Sequence, residues 1–240
     1  MTTLFIADLH LCDERPAVTG LFVDFLRSRT SGANALYILG DLFEYWAGDD
    51  TAQPDQQTVI RGLQDATRRG LPIYFMHGNR DFLIGQRFAT ETGCRLLTEP
   101  TIIEINGERV LLMHGDLLCT DDHGYLKFRA MVRNPDWQRE FLLRPAPERV
   151  AIAREYRAES KKQSRRKAPE IMDVNQLEVA RVMEAHDVRL LIHGHTHRPA
   201  MHSFAIDGNE HRRIVLGDWY LTGSALVADH RGYRLEDFPV

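Results

Sequence analysis

Leu190-Leu191-Ile192-His193-Gly194-His195-Thr196-His197 is a short apolar run that ends on two histidines spaced i, i+2. On extended backbone, residues two apart point the same way, so His195 and His197 can share one metal ion or serve two neighbouring ones. The same kind of ending recurs upstream. Phe5-Ile6-Ala7 runs into Asp8-Leu9-His10, and Ala35-Leu36-Tyr37-Ile38-Leu39 runs into Gly40-Asp41. Ile73-Tyr74-Phe75-Met76-His77 leads to Gly78-Asn79-Arg80-Asp81, and Val110-Leu111-Leu112-Met113 leads to His114-Gly115-Asp116. Taken singly, an Asp-x-His or a Gly-Asp after a strand is a cap or a turn. In an open α/β sheet, however, sites collect in the crevice at the carboxyl ends of strands, and five such endings point to one crevice.

Around these endings, β-rich apolar runs alternate with helical patterns, the signature of a layered α/β architecture. The pattern predicts strands at 2–7, 35–39, 72–76, 101–105, 109–113, 188–192, 201–206, 211–216 and 223–228. Helices are predicted at 16–29, 55–69, 81–92 and 172–186, with the last three strands following one another through turns such as Asp207-Gly208-Asn209. The expectation is a single domain over 1–240, two packed sheets with helices outside. One stretch breaks the pattern. Residues 123–170 hold 13 Lys or Arg against 6 Asp or Glu, a local +7 on a chain of formal net charge −4. Apolar residues there fall at helical spacing, and Pro135, Pro145 and Pro147 cut it into short helices. This stretch reads as a helical cap inserted on the sandwich.

With 240 residues, 43% of them hydrophobic, the chain is neither disordered nor collagen-like. The amino terminus lacks a basic leader and meets Asp8 early, and no run of about 18 apolar residues occurs, so neither secretion nor a membrane span is expected. Cys12, Cys94 and Cys119 lack C-x-x-C spacing and are expected as free thiols in a reducing compartment.

Asp8, His10, Asp41, Asn79, His114, His195 and His197 offer three side-chain oxygen donors and four imidazoles. Two divalent cations about 3.5–4 Å apart need a bridging carboxylate with ligands of this kind, and such a pair clamps the attacking and leaving oxygens of a phosphoryl displacement. The mixture suits Mn²⁺, Fe²⁺ or Zn²⁺, because Mg²⁺ avoids imidazole-rich sites.

The order Asp8-x-His10, Gly40-Asp41, Gly78-Asn79, Met113-His114-Gly115-Asp116, Gly194-His195-Thr196-His197 resembles the calcineurin-like metallophosphoesterases. The resemblance implies a four-layer αββα sandwich with a two-metal centre. It assigns Asp8, His10, Asp41 and His197 to one metal and Asp41, Asn79, His114 and His195 to the other, with Asp41 bridging. Many members carry a histidine after Gly-Asn where this chain has Arg80. A guanidinium is no general acid at neutral pH but holds phosphate oxygens with a planar fork, which suits a leaving group that is itself a phosphate.

Longer stretches, among them Tyr37-Ile38-Leu39-Gly40-Asp41-Leu42-Phe43-Glu44, His77-Gly78-Asn79-Arg80-Asp81-Phe82-Leu83 and Leu118-Cys119-Thr120-Asp121-Asp122, are similar to one branch of that family, the UDP-2,3-diacylglucosamine diphosphatases of the lipid A pathway. That similarity implies hydrolysis of UDP-2,3-diacylglucosamine to UMP and 2,3-diacylglucosamine 1-phosphate, with manganese, by activated hydroxide attacking the phosphorus nearer uridine. It places Asp41, Asn79, Arg80 and His195 in catalysis and carries substrate contacts to Asn79, Arg80, Asp122, Ser160, Lys167 and His195, with Ser164 at a variable position. It further implies a monomer on the cytoplasmic face of the bacterial inner membrane, holding a lipid-linked nucleotide sugar and no nucleic acid. The other reading is a dinuclear phosphodiesterase acting on nucleotides or nucleic acid; Arg80 and the lack of interleaved aromatic and basic residues beyond Tyr156 speak against it.

Within the cap, Arg157, Ser160, Ser164 and Lys167 are spaced 3, 4 and 3, which on a helix puts them on one polar face able to grip phosphate and hydroxyls. Trp137, Phe141, Leu142, Leu143, Val150 and Ile152 exceed what a small cap needs for its own packing and are expected to line an acyl slot or touch the membrane surface. His77 and His193 read as structural histidines, and Glu44 and Trp46 as either support for the site or loop packing.

Overall fold

The computed structural model describes residues 2–164, 167–168 and 171–239. Two sheets stack face to face. The first has six strands in the order β11-β10-β1-β2-β3-β4: Gly232–Pro239, Thr222–Asp229, Thr3–Ile6, Ala35–Leu39, Ile73–Met76 and Arg95–Leu97. The second has five in the order β5-β6-β7-β9-β8: Thr101–Ile105, Glu108–Leu112, Leu190–His193, Asn209–Val215 and Ala200–Ile206. Helices α1 (Pro16–Ser28), α2 (Pro54–Arg68) and α3 (Gln86–Thr92) connect the parallel strands β1 to β4, and α7 (Gln176–Ala185) precedes β7.

The period-two alternation of the strands accounts for the four layers. Leu4, Ile6, Leu36, Ile38, Ile73 and Phe75 pack with Val18, Phe22 and Phe25 of α1 and Val59, Ile60 and Leu63 of α2. The intervening Phe5, Ala7, Leu39 and Met76 face Val110, Leu112, Leu190 and Ile192 between the sheets. Leu111 and Leu191 turn outward onto Val179, Val182 and Met183 of α7. The expected αββα sandwich is thus the observed one.

Three expectations need correction. The helix expected over 81–92 begins only at Gln86. Asp81 is turned inward, where its carboxylate accepts the N–H groups of Gly78 at 2.9 Å and Leu42 at 2.7 Å, and the helix starts where Asp49 accepts from Gly85 and Phe88, both at 2.9 Å. The last strands do not form one meander: β8 and β9 pair as a hairpin, but β10 crosses to the first sheet and pairs with β1. Strands β4 and β11 were not expected. β4 has only three residues, and in β11 the charges of Arg234, Glu236 and Asp237 mask an alternation that sends Tyr233 and Leu235 between the sheets and Phe238 toward α1.

Between β6 and α7 the chain forms α4 (His123–Val132), α5 (Pro135–Leu143) and α6 (Ala146–Ser164). Asp122 and Asn134 cap the first two by accepting from backbone N–H groups, and Pro135 opens α5 where its missing N–H costs nothing. Arg149 ties α6 to the loop after β2, donating to Ala47 O at 2.7 Å and Asp50 Oδ1 at 2.9 Å.

Candidate metal centre

The loops after β1, β2, β3, β6 and β7 meet at one edge of the sandwich. Their backbones are held against one another: Asp8 donates to Gly40 O at 3.1 Å, His10 to Asp41 O at 2.9 Å, Gly194 to His114 O at 2.8 Å and His195 to the Asp8 carboxylate at 2.7 Å. Asp8, His10, Asp41, His195 and His197 all have left-handed backbone, with φ of 56°, 48°, 54°, 70° and 55°. Non-glycine residues rarely sit there, at about 1–3 kcal/mol each, and persist where the surroundings over-determine them, as at functional sites. Two glycines make room for the carboxylates. A Cβ on Gly78 would lie 2.1 Å from Asp41 Oδ1, and one on Gly194 would lie 2.4 Å from Asp8 Oδ2.

The seven candidate side chains converge. His10 and His197 bring their Nε2 atoms to 3.1 Å, with His197 Nε2 3.5 Å from Asp8 Oδ1. His114 Nε2 and His195 Nδ1 face Asn79 Oδ1 at 2.9 and 3.0 Å. Asp41 lies between the groups, its oxygens 3.8 Å from His10 Nδ1 and 3.8 Å from His114 Nε2. Asp8, His10 and His197 form one compact donor cluster and Asp8, Asp41 and His114 another. Asp8 Oδ1 and His10 Nδ1 are buried without a hydrogen-bond partner, which is costly unless a cation or a proton meets them. Two divalent cations fit this donor set.

The electrostatics point the same way. Burial pushes the Asp41 carboxyl up to about 7, against the pull of His114. Burial alone would lower His114, but Asp41, Asp116, Asp8 and Glu99 outweigh it and carry the imidazole up to about 9. His195 moves the other way, down to about 4, through burial and the nearby His114. His114 Nδ1 faces Leu39 O at 2.8 Å, which leaves Nε2 as the atom turned to the Asn79 amide at 2.9 Å and to Asp41 at 3.8 Å. The carboxylates thus hold positive charge at the place where a cation would bind, and a bound cation displaces the proton. Metal uptake at pH 7 is therefore expected to release protons, and apparent affinity to weaken as pH falls through 7. Calorimetric titration in buffers of different ionisation enthalpy reads the released protons; metal uptake without release would contradict these shifts.

Arg80 stands beside this centre. Its Nε is 3.7 Å from Asp41 Oδ2, its NH1 donates to Ser160 Oγ of α6 at 3.3 Å, and its backbone N–H holds Asp41 Oδ1 at 2.8 Å. A cavity of about 340 Å³ opens here, its lining joining Asn79, Arg80, Arg157, Ser160 and Lys167 to the apolar Phe82, Phe128, Trp137, Phe141 and Tyr156. Of the six apolar cap residues singled out from the sequence, Trp137 and Phe141 line it, whereas Ile152 packs on the core and Leu142 and Leu143 are exposed, Leu143 by 81%. The polar face expected along one helix is also corrected. α6 is described as far as Ser164, Lys167 lies in a bend outside the helix, and the Ser164 side chain lies outside the described residues. Lys167 donates to Asp122 at 2.5 Å, and Arg157 pairs with Glu44, whose other oxygen is 3.4 Å from His10 Nδ1.

Sequence reasoning missed the residues that hold the candidate ligands. Asp81 fixes the Asp41 loop, Asp218 lies 3.5 Å from His197 Nδ1, and Glu99 accepts the His114 N–H at 2.7 Å. His77 and His193 are hydrogen-bonded structural residues, His77 to Ile84 O at 2.7 Å and His193 to Gly194 O and Arg213.

A sandwich with histidine and carboxylate donors at its carboxyl edge defines a class, and a profile of the calcineurin-like phosphoesterases matches residues 1–199; the chain belongs to that family. More particularly, it is 52% identical over 237 residues to a protein of Pseudomonas putida strain F1 named UDP-2,3-diacylglucosamine hydrolase, covering 98% of each chain. Proteins of the same name in Azotobacter vinelandii and Pseudomonas aeruginosa are 51% and 52% identical over 242 residues, with full coverage of both chains. Among solved structures, an archaeal phosphodiesterase aligns over 99% of this chain and 100% of its own, with a TM-score of 0.47 and 14% identity.

Proposed function

We propose that this protein hydrolyses the diphosphate bond of UDP-2,3-diacylglucosamine, giving UMP and 2,3-diacylglucosamine 1-phosphate in lipid A synthesis. The observation that carries the reading is the junction of a two-cation donor set, through Asn79 and Arg80, with an apolar cavity roofed by the cap helices. A diphosphate between a sugar with two acyl chains and a nucleoside needs both halves of such a site. Full-length relatives at about half identity bear the name of this activity.

Asp8, His10, Asp41 and His197 would hold one divalent cation and Asp41, Asn79, His114 and His195 the other, with Mn²⁺ the ion best suited. Such ions polarise phosphoryl oxygens and lower the pKa of water. Arg80 gathers the diphosphate oxygens and neutralises the charge that grows on the departing phosphate, while Asn79 and His195 orient the scissile group. Asp122, Arg157, Ser160 and Lys167 form the polar rim for the sugar and its phosphate. The chain is read as one domain with a helical cap over about 123–170. Among the described residues no helix is long and apolar enough to cross a membrane. We assign a peripheral place on the cytoplasmic face of the inner membrane, reached as a monomer with no nucleic-acid partner.

Purified protein is expected to release UMP from this substrate, to stop on chelation and to resume with Mn²⁺; turnover indifferent to chelation would contradict the reading. Lys167→Ala should lower kcat/KM for the lipid by more than tenfold, about 1.4 kcal/mol, while sparing a small chromogenic phosphodiester. Ser160→Ala should slow both substrates, because Ser160 also anchors Arg80.

A further inference from the structure

Helix α4 touches two things at once. Tyr125, Phe128 and Met131 line the apolar cavity. Counting from Tyr125 in steps of four, Arg129 and then Arg133, the C-cap residue of the helix, form an adjoining stripe. Arg129 donates through Nε to Asp116 at 2.7 Å and through NH2 to Glu99 at 3.1 Å. Glu99 in turn accepts the backbone N–H of His114, and Tyr125 donates its hydroxyl to Asp116. Arg133 donates to Gly78 O at 2.9 Å, next to Asn79, and its guanidinium lies 5.4 Å from the ring centre of Phe82, another cavity residue. Asp116 is fully buried, so loss of Arg129 leaves a buried carboxylate short of a charged partner. None of these bonds reaches the His10 and His197 side.

We propose that Arg129 and Arg133 are positioning residues that brace the His114 and Asn79 loops from the cap, and that Arg129, through Glu99 and Asp116, couples occupancy of the apolar cavity by acyl chains to the affinity of the second cation. The proposal rests on the two-cation reading above. An acyl chain lying against Phe128 and Met131 fixes α4, and a fixed α4 holds Asn79 and His114 in their converged positions. Linkage makes the effect reciprocal: the second cation tightens the acylated ligand by the same factor. The lipid then completes the site that cleaves it, which disfavours turnover of nucleotides lacking acyl chains.

The test is calorimetric titration of Mn²⁺ into metal-stripped protein, with and without 2,3-diacylglucosamine lacking any phosphate, presented in nonionic micelles. Arg129→Ala should weaken one Mn²⁺ at least tenfold and leave the other within twofold of the parent, and Arg129→Lys should recover part of the loss. The acylated sugar should tighten the weaker ion at least threefold in the parent but not in Arg129→Ala. Two ions bound by Arg129→Ala as tightly as by the parent, or both weakened equally, would overturn the bracing role. Equal tightening by the sugar in parent and variant would overturn the coupling. A parent that binds fewer than two ions would instead overturn the two-cation reading itself.

Discussion

Asp41→Ala is expected to lower kcat/KM for UDP-2,3-diacylglucosamine by about 10⁴-fold or more, roughly 5.5 kcal/mol of transition-state stabilisation. The reason is position. Asp41 lies 3.8 Å from a histidine of each candidate group, and it also faces Arg80 Nε at 3.7 Å. Under the proposed two-cation reading, its removal would take charge from both cation positions and from the guanidinium together. The loop itself should survive, because Asp81 holds the backbone N–H of Leu42 and Gly78 whichever side chain stands at 41. Steady-state kinetics beside a thermal melt checks both parts; a loss below 100-fold would remove Asp41 from the bridging role.

Arg80→Ala carries the next largest effect, a drop of about 10²–10³-fold for the lipid substrate and for small phosphodiesters alike. The guanidinium lies against both the Asp41 carboxylate and Ser160 of α6, so it stands between the candidate metal centre and the helical insertion. The backbone N–H of residue 80 keeps its 2.8 Å bond to Asp41 Oδ1 in the variant, which confines the damage to charge on the phosphates. Arg80→Lys should recover only part of the loss, since an ammonium lacks the planar fork. Full activity in Arg80→Lys would show that a point charge suffices there.

The candidate ligands were legible because each follows a strand, and apolar runs of period two are the strongest local signal a sequence offers. Asp8, Asp41, Asn79, His114 and His195 come from loops far apart in the chain, yet β1, β2 and β3 run parallel in one sheet and β6 and β7 in the other, so the carboxyl ends within each sheet share an edge whatever their separation, and stacking of the sheets brings the two edges together. What supports them carries no such periodicity. Glu99, Asp116 and Arg129 meet only after folding, and a lone acidic residue in a loop looks the same whether it faces water or His114. The start of α3 was misplaced for a related reason. Asp81 reads as a first-turn helix residue, but tertiary bonds to Gly78 and Leu42 draw it inward and Asp49 supplies the cap from across the site. Strand β11 was hidden by its charges, and the crossing of β10 to the first sheet by the hairpin spacing that precedes it. Lys167 fell on a helical face only if α6 ran on, and its described end at Ser164 leaves the lysine paired with Asp122.

Which phosphorus is attacked is read directly by hydrolysis of UDP-2,3-diacylglucosamine in ¹⁸O-labelled water with mass analysis of both products. Arg80 and the apolar cavity lie together, so the acyl-sugar phosphate is the half drawn toward the cap and the half that leaves with its bridging oxygen. Label is expected in UMP and none in 2,3-diacylglucosamine 1-phosphate. Label in the lipid phosphate would place the attack on the other phosphorus and contradict it.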